Sequence, residues 1–293
     1  MITFPVPPTS RNQLKWHVFE ETLQGDWILN LLPPFYAELF EFQEQQLIKK
    51  SNTGWIDSKT GKSTYVFFDD LTDNEIDHIH AFIEDYKKYV IIGKNENIEP
   101  YFTDELDCCC ALDYTYERIE SFFFRTEIGA LEKQTKYDQF EESYTKLVQF
   151  MIQGLDRLCR GCTSDNKCLA YVPATKNKDF HLPMKLVRDI HSTPGHLFSS
   201  ENSVPVVNAV IKKKVKSSKI LSLKNKIKKW DKIISKSRIS LDRLIEGCEV
   251  YVIDDLYQSG ITMWSFAKYL KSAGAASVKG LVCVKTLRDT DNL

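Results

Sequence analysis

Two adjacent carboxylates, Asp254 and Asp255, follow the apolar run Val250-Tyr251-Val252-Ile253 and precede the polar stretch Gln258-Ser259-Gly260. Ile261 and Thr262 come next, with Thr262 opening a helical pattern. The apolar run predicts a buried strand. A strand, two acids, a short loop and a helix put carboxylates and backbone N–H groups at the carboxyl edge of a parallel sheet, where open α/β folds bind ligands. Two ionised carboxylates accept hydrogen bonds from both hydroxyls of a vicinal diol, in charge-assisted bonds roughly twice as strong as neutral ones. The N–H groups of Gln258 to Thr262 form a nest at a helix N-terminus, where the dipole favours an anion. Gly260 permits close approach and an unusual φ. Ser259 and Thr262 add hydroxyls, and Thr262 can also cap the helix. The pattern suits a ligand with a ribose diol on one side and a phosphate on the other. The plainer alternative is a buried strand whose acids cap and solvate a turn.

The elements that position this run are readable from about residue 125 onward. A helix is predicted over Tyr137 to Leu158, with Phe140, Tyr144, Leu147, Met151 and Leu155 on its apolar side. Leu169-Ala170-Tyr171-Val172 reads as a strand ending at Pro173, and Asp179 to His191 as a helix. After a Ser/Pro/Gly-rich loop and a lysine-rich insert come the strand at Val250, a helix from Thr262 to about Ala273 stopped by Gly274, and a strand from Val278 to Val284. The order β-α-(basic insert)-β-α-β predicts an α/β fold with a mainly parallel sheet flanked by helices. Upstream, Phe35 to Lys50 suggests an amphipathic helix and Ser63 to Phe68 a strand. Thr72 and Glu75 form a capping box that opens a helix with Ile76, Ile79, Ile83 and Tyr86 on one face. The expected division is an N-terminal α+β region over 1–124 and the α/β unit over 125–293.

Composition bounds the function classes. The 293 residues carry a formal net charge of −1, so the global balance points to neither nucleic acid nor membrane. Charge is concentrated locally: residues 212–243 hold thirteen Lys/Arg and two acids, or +11, leaving −12 for the rest. No signal peptide is expected from Met1 to Pro8, and Trp27 to Leu32 is too short to span a bilayer. A cytoplasmic location is expected. Eight cysteines then favour thiols or metal ligands over disulfides. Cys159-x2-Cys162, with Cys168, has part of a zinc-site spacing, and a fourth ligand could come from Cys108 to Cys110. The alternative is small, partly buried hydrophobes.

The run Val250 to Thr262 resembles the binding motif for phosphoribosyl pyrophosphate (PRPP) of type I phosphoribosyltransferases. Other segments resemble the competence-associated, ComF-like branch of that family. Arg125-Thr126-Glu127-Ile128-Gly129 and Lys136-Tyr137 lead into the long helix as that branch's Lys-Tyr segment does. Tyr171-Val172-Pro173-Ala174 resembles its first strand and pyrophosphate loop, and residues 212–238 occupy the place of its flexible loop. The resemblance covers roughly 125–293 and is specific at 250–262. It departs at Tyr257, where the family has an aliphatic residue, and at Gln258, where it has a small Thr or Ser. It implies that Asp254 and Asp255 hold the ribose and act in catalysis, with Gln258, Ser259, Gly260, Ile261 and Thr262 on the 5′-phosphate. Ala174, Thr175 and Lys176 would meet pyrophosphate, and Mg²⁺ would be carried by PRPP near the two acids. The implied reaction is displacement of pyrophosphate at the anomeric carbon by a nitrogen nucleophile, in nucleotide or base metabolism. A non-catalytic PRPP- or nucleotide-binding module in DNA uptake, processing or defence is the alternative.

The basic stretch 212–238 has three readings. It is a loop closing over PRPP, a nucleic-acid contact with Trp230 stacked on a base, or a helix with a solvated charged face. Its interleaved apolar residues, Ile227 and Ile233 among them, argue for at least partial packing.

Overall fold

The computed structural model describes residue 14 and residues 16–32, 35–93, 98–159, 166–175, 180–212, 222–235 and 238–287. The N-terminal part is an antiparallel sheet covered by helices. Its elements are β1 (Trp16–Glu21), β2 (Trp27–Leu32), α1 (Phe35–Gln43), α2 (Gln45–Ile48), β3 (Ile56–Asp57), β4 (Thr64–Phe68) and α3 (Asp73–Lys88), with strand order β1-β2-β4-β3. The helix expected over Phe35 to Lys50 is broken at Glu44, whose backbone leaves the helical region at φ −117° and ψ 47°. The capping box forms: the backbone N–H and hydroxyl of Thr72 both donate to Glu75, at 2.9 and 2.8 Å.

The second part is built on a six-stranded sheet. Its elements continue as β5 (Val90–Ile91), β6 (Cys108–Tyr114), β7 (Tyr116–Ile119), β8 (Phe122–Arg125), α4 (Glu127–Lys133) and α5 (Glu141–Cys159). They go on as β9 (Lys167–Tyr171), α6 (Leu182–Ser192), β10 (Val206–Val207), β11 (Ala209–Ile211), α7 (Leu223–Ser235) and β12 (Ile239–Leu241). The last three are β13 (Glu249–Tyr257), α8 (Ile261–Ser272) and β14 (Ser277–Lys285). The main sheet has the order β10-β9-β13-β14-β6-β5, with every pair parallel except β5–β6. The architecture is therefore α/β, with a mainly parallel sheet flanked by helices.

Two strands of this sheet come from upstream of residue 125. The Cys108-Cys109-Cys110 triplet opens β6, which pairs with β14 at the far end of the chain. All three cysteines are buried there as small apolar side chains. The sheet thus draws on residues before the division expected at 124/125.

Strand alternation splits the interior into two cores. One face of the sheet packs Tyr251, Ile253, Leu169 and Tyr171 against α5 and α6, and this core continues into the N-terminal sheet through Leu29, Phe40 and Phe82. The other face packs Val250, Val252, Cys168 and Ala170 against α7 and α8. The helices after the neighbouring strands β9 and β13 therefore lie on opposite faces, and the chain runs outward from β9 to β10 before returning to β13. The crevice between the carboxyl ends of β9 and β13 is a topological switch point.

The predicted helix 137–158 begins at Glu141, because Gln134–Asp138 forms a π-helical turn and Gln139 sits at φ 55°. Phe140, placed on its apolar face from the pattern, lies outside the helix and is 57 % exposed. The basic stretch also corrects one expectation. Residues 213–221 lie outside the described residues, but 223–235 are the amphipathic helix α7, with Ile227, Trp230 and Ile233 buried at i, i+3 and i+6. Trp230 is 3 % exposed and packs in the core with α8, so it cannot stack on a base. Among the described residues no helix is long and apolar enough to cross a membrane.

Candidate functional site

The strand carrying the two acids runs longer than its apolar residues suggested. β13 continues through Asp254 and Asp255 to Tyr257, with Asp254 opposite Val282 of β14. Asp254 Oδ1 accepts a hydrogen bond from the Asp255 backbone N–H at 2.9 Å. Burial, and then the adjacent Asp255 charge, push Asp254 well above the usual carboxylate range. The pair therefore holds a proton more readily than two isolated carboxyls.

Lys136, in the π-helical turn, donates to Asp255 Oδ2 at 2.7 Å and to Glu132 Oε1 at 3.1 Å. Burial opposes its charge, but Asp255 and Glu132 together hold its pKa above the ordinary lysine range. Burial in turn raises Glu132, against the pull of Lys136. The approach of this helix to the sheet edge is locally determined. Thr126 caps α4 by accepting from the Gly129 N–H at 3.0 Å and donates its hydroxyl to the Tyr114 carbonyl at 2.5 Å. Gly129 lies against the Thr115 carbonyl, where a Cβ would collide with backbone. Asp113, at the same end of β6, is pushed up to about 6 by burial, although its carboxylate accepts the Tyr114 N–H at 2.7 Å.

The loop after β13 wraps over an aromatic side chain. Gly260 has φ 78° and precedes the first turn of α8, and Ser259 is buried. Tyr257 fills the space beneath Gly260, and its hydroxyl accepts the Trp264 indole N–H at 3.0 Å. Lys285, fully buried at the end of β14, donates to the Thr286 carbonyl at 3.1 Å and lies 5.9 Å from the centre of the Tyr257 ring. Thr262 is exposed in the first helical turn and Ile261 is buried, so Gly260 rather than Thr262 is the residue before the helix. The first N–H groups of α8 lack intrahelical acceptors, as at any helix start.

Ala174 and Thr175 follow β9 at the same edge, since the Val172 N–H donates to the Ile253 carbonyl at 3.0 Å. Lys176 lies outside the described residues. The expected zinc set is not assembled. Cys159, at the end of α5, packs on one face of the sheet and accepts from the Tyr251 hydroxyl at 3.2 Å. Cys168 points into the core on the other face, because it alternates with Leu169 along β9. Cys162 lies outside the described residues, and among them no group of three His, Cys, Asp or Glu is arranged to hold a metal ion.

Glu132 and Lys285 were not singled out from the sequence. The i, i+4 spacing of Glu132 and Lys136 was the available signal for the first. Nothing local marked Lys285 within an otherwise apolar strand.

No family model matches the chain, and no curated protein matches it. Among solved structures, it is similar to hypoxanthine phosphoribosyltransferases. The Trypanosoma cruzi enzyme is 16% identical, with a TM-score of 0.30, over 52% of this chain and 69% of that one. The Leishmania tarentolae enzyme, in complex with GMP, is 14% identical, with a TM-score of 0.32, over 52% and 72%. The Staphylococcus aureus enzyme is 15% identical, with a TM-score of 0.28, over 50% and 65%.

Proposed function

We propose that the chain binds PRPP at the carboxyl edge of β13 and transfers its phosphoribosyl group to a nitrogen nucleophile. The observation that carries this reading is the coincidence, at one strand–loop–helix turn, of a paired-carboxyl site and a glycine-led helix start at the switch point. Asp254 and Asp255 would accept the two ribose hydroxyls. The N–H groups of Gln258 to Thr262 would hold the 5′-phosphate, favoured by the α8 dipole. Ala174 and Thr175, on the neighbouring loop, would face pyrophosphate. Displacement of pyrophosphate at the anomeric carbon needs orientation and charge stabilisation rather than a protein nucleophile.

The donor set suits Mg²⁺, which takes one or two carboxylates together with ligand oxygens. Carried by PRPP near Asp254 and Asp255, it would supply charge neutralisation at the pyrophosphate. Binding without turnover is the second reading. It is favoured by Lys136, which already neutralises Asp255 in the free protein.

The test is titration calorimetry with PRPP and Mg²⁺. Heat is expected from the wild type and none from Asp254→Asn/Asp255→Asn. A silent wild type would sink both readings. Release of pyrophosphate in the presence of a base or amine then separates transfer from binding.

A further inference from the structure

We propose that Tyr137 is the face on which the acceptor stacks, so that the acceptor is a planar heteroaromatic base rather than an aliphatic amine; this assignment rests on the PRPP reading above.

Tyr137 belongs to the π-helical turn that also carries Lys136. Lys136 Nζ lies 2.7 Å from Asp255 Oδ2 and 5.9 Å from the centre of the Tyr137 ring. The ring centre is therefore no farther from that carboxylate oxygen than the two contacts laid end to end. Tyr137 is 67% exposed and packs in neither core. Its backbone setting is nonetheless fixed. Gln134, which opens the turn, accepts the Ser143 hydroxyl at 2.7 Å through Oε1 and the Phe140 N–H at 3.4 Å through its carbonyl. Single π-helical turns of this kind are frequent at functional sites.

The ring is not isolated. Of the six exposed aromatic side chains among the described residues, five lie between 122 and 140, in the segment that leads from the carboxyl end of β6 into α5. β6 runs parallel to β14, and β14 to β13, so this segment leaves the sheet on the edge that holds Asp254 and Asp255. The diol site thus has carboxyls for a sugar and a flat apolar face beside them.

The reach fits a ring joined to that sugar. A hydroxyl accepted by Asp255 sits about 2.7 Å from it, and the anomeric carbon is two or three covalent bonds farther. A planar group attached there comes within reach of the roughly 4.5–7 Å at which rings pair with an aromatic side chain. An aliphatic amine has no ring face to offer Tyr137. It is also uncharged when it acts as a nucleophile, so it brings no cation to the ring either. Every nucleobase has such a face.

The experiment is titration calorimetry of the full chain with Mg²⁺, using ribose 5-phosphate, PRPP, AMP, GMP, CMP and UMP as probes. At least one nucleotide is expected to bind tighter than ribose 5-phosphate by about fivefold or more, the increment of a stacked base. Tyr137→Ala should remove that increment and leave the affinity for ribose 5-phosphate unchanged. Tyr137→Phe should keep it. Silence with both ribose 5-phosphate and PRPP overturns the PRPP reading and this assignment with it. Binding of PRPP with no increment from any base overturns this assignment alone, and so does an increment that survives in Tyr137→Ala.

Discussion

The hydroxyl of Tyr257 lies where a side chain at residue 260 would begin. Two constraints therefore meet at Gly260: a left-handed backbone and a ring packed directly below it. Tyr257 is itself held by the Trp264 indole, so the loop rests on a fixed platform rather than on solvent.

Gly260→Ala is expected to cost about 1–3 kcal/mol for the positive φ alone, with the collision against Tyr257 adding to it. Urea unfolding should show a lower midpoint at unchanged slope. Tyr257→Phe removes the acceptor of a buried indole N–H and should cost about 1–3 kcal/mol.

Lys136→Met would remove the cation that Asp255 and Glu132 share. Removing one member of a buried ion pair is expected to cost about 3 kcal/mol. In Lys136→Met/Asp255→Asn the loss should be smaller than the sum of the single changes. A double-mutant cycle by chemical denaturation measures that difference.

Because Asp254 is held above the usual carboxylate range, a ligand that engages the ionised pair must displace its proton. Binding should tighten as pH rises. Calorimetry in buffers of different ionisation enthalpy should show net proton release, and that release should be absent in Asp254→Asn.

Asp113 sets a separate pH dependence. The unfolded chain loses this proton near about pH 4, whereas the folded chain keeps it to about 6. Between these values the folded state binds more protons, so stability falls as pH rises. The change is on the order of 3 kcal/mol, fully present below the window as stability and gone above it. Asp113→Asn should flatten it, as measured by denaturant midpoints at pH 4 and pH 7.

The parts of the fold that were legible were those with uniform local chemistry. Val250 to Ile253 read as a buried strand because four successive residues are apolar, and the Thr72–Glu75 box announced α3. Asp254 to Tyr257 did not read as strand, since the two acids end the apolar run that marked it. β6 was hidden because three cysteines carry little periodic signal and its partner, β14, is at the other end of the chain. The site was half legible for the same reason. Asp254, Asp255 and Gly260 lie within one short run, whereas Lys136 reaches Asp255 only after α4 has docked on the sheet edge.

The position of β6 beside β14 also orders events in time. The strand is synthesised well before its neighbour, and its other pairing is with the two-residue β5. Until the last strand emerges, β6 has no parallel partner, and the contacts that finally seat it are among the most distant in the sequence. Such pairings make folding slow, and an interrupted chain would leave a cysteine-rich edge exposed to association. For this molecule, maturation of the sheet and of the site along its carboxyl edge is a single event that awaits the synthesis of β14.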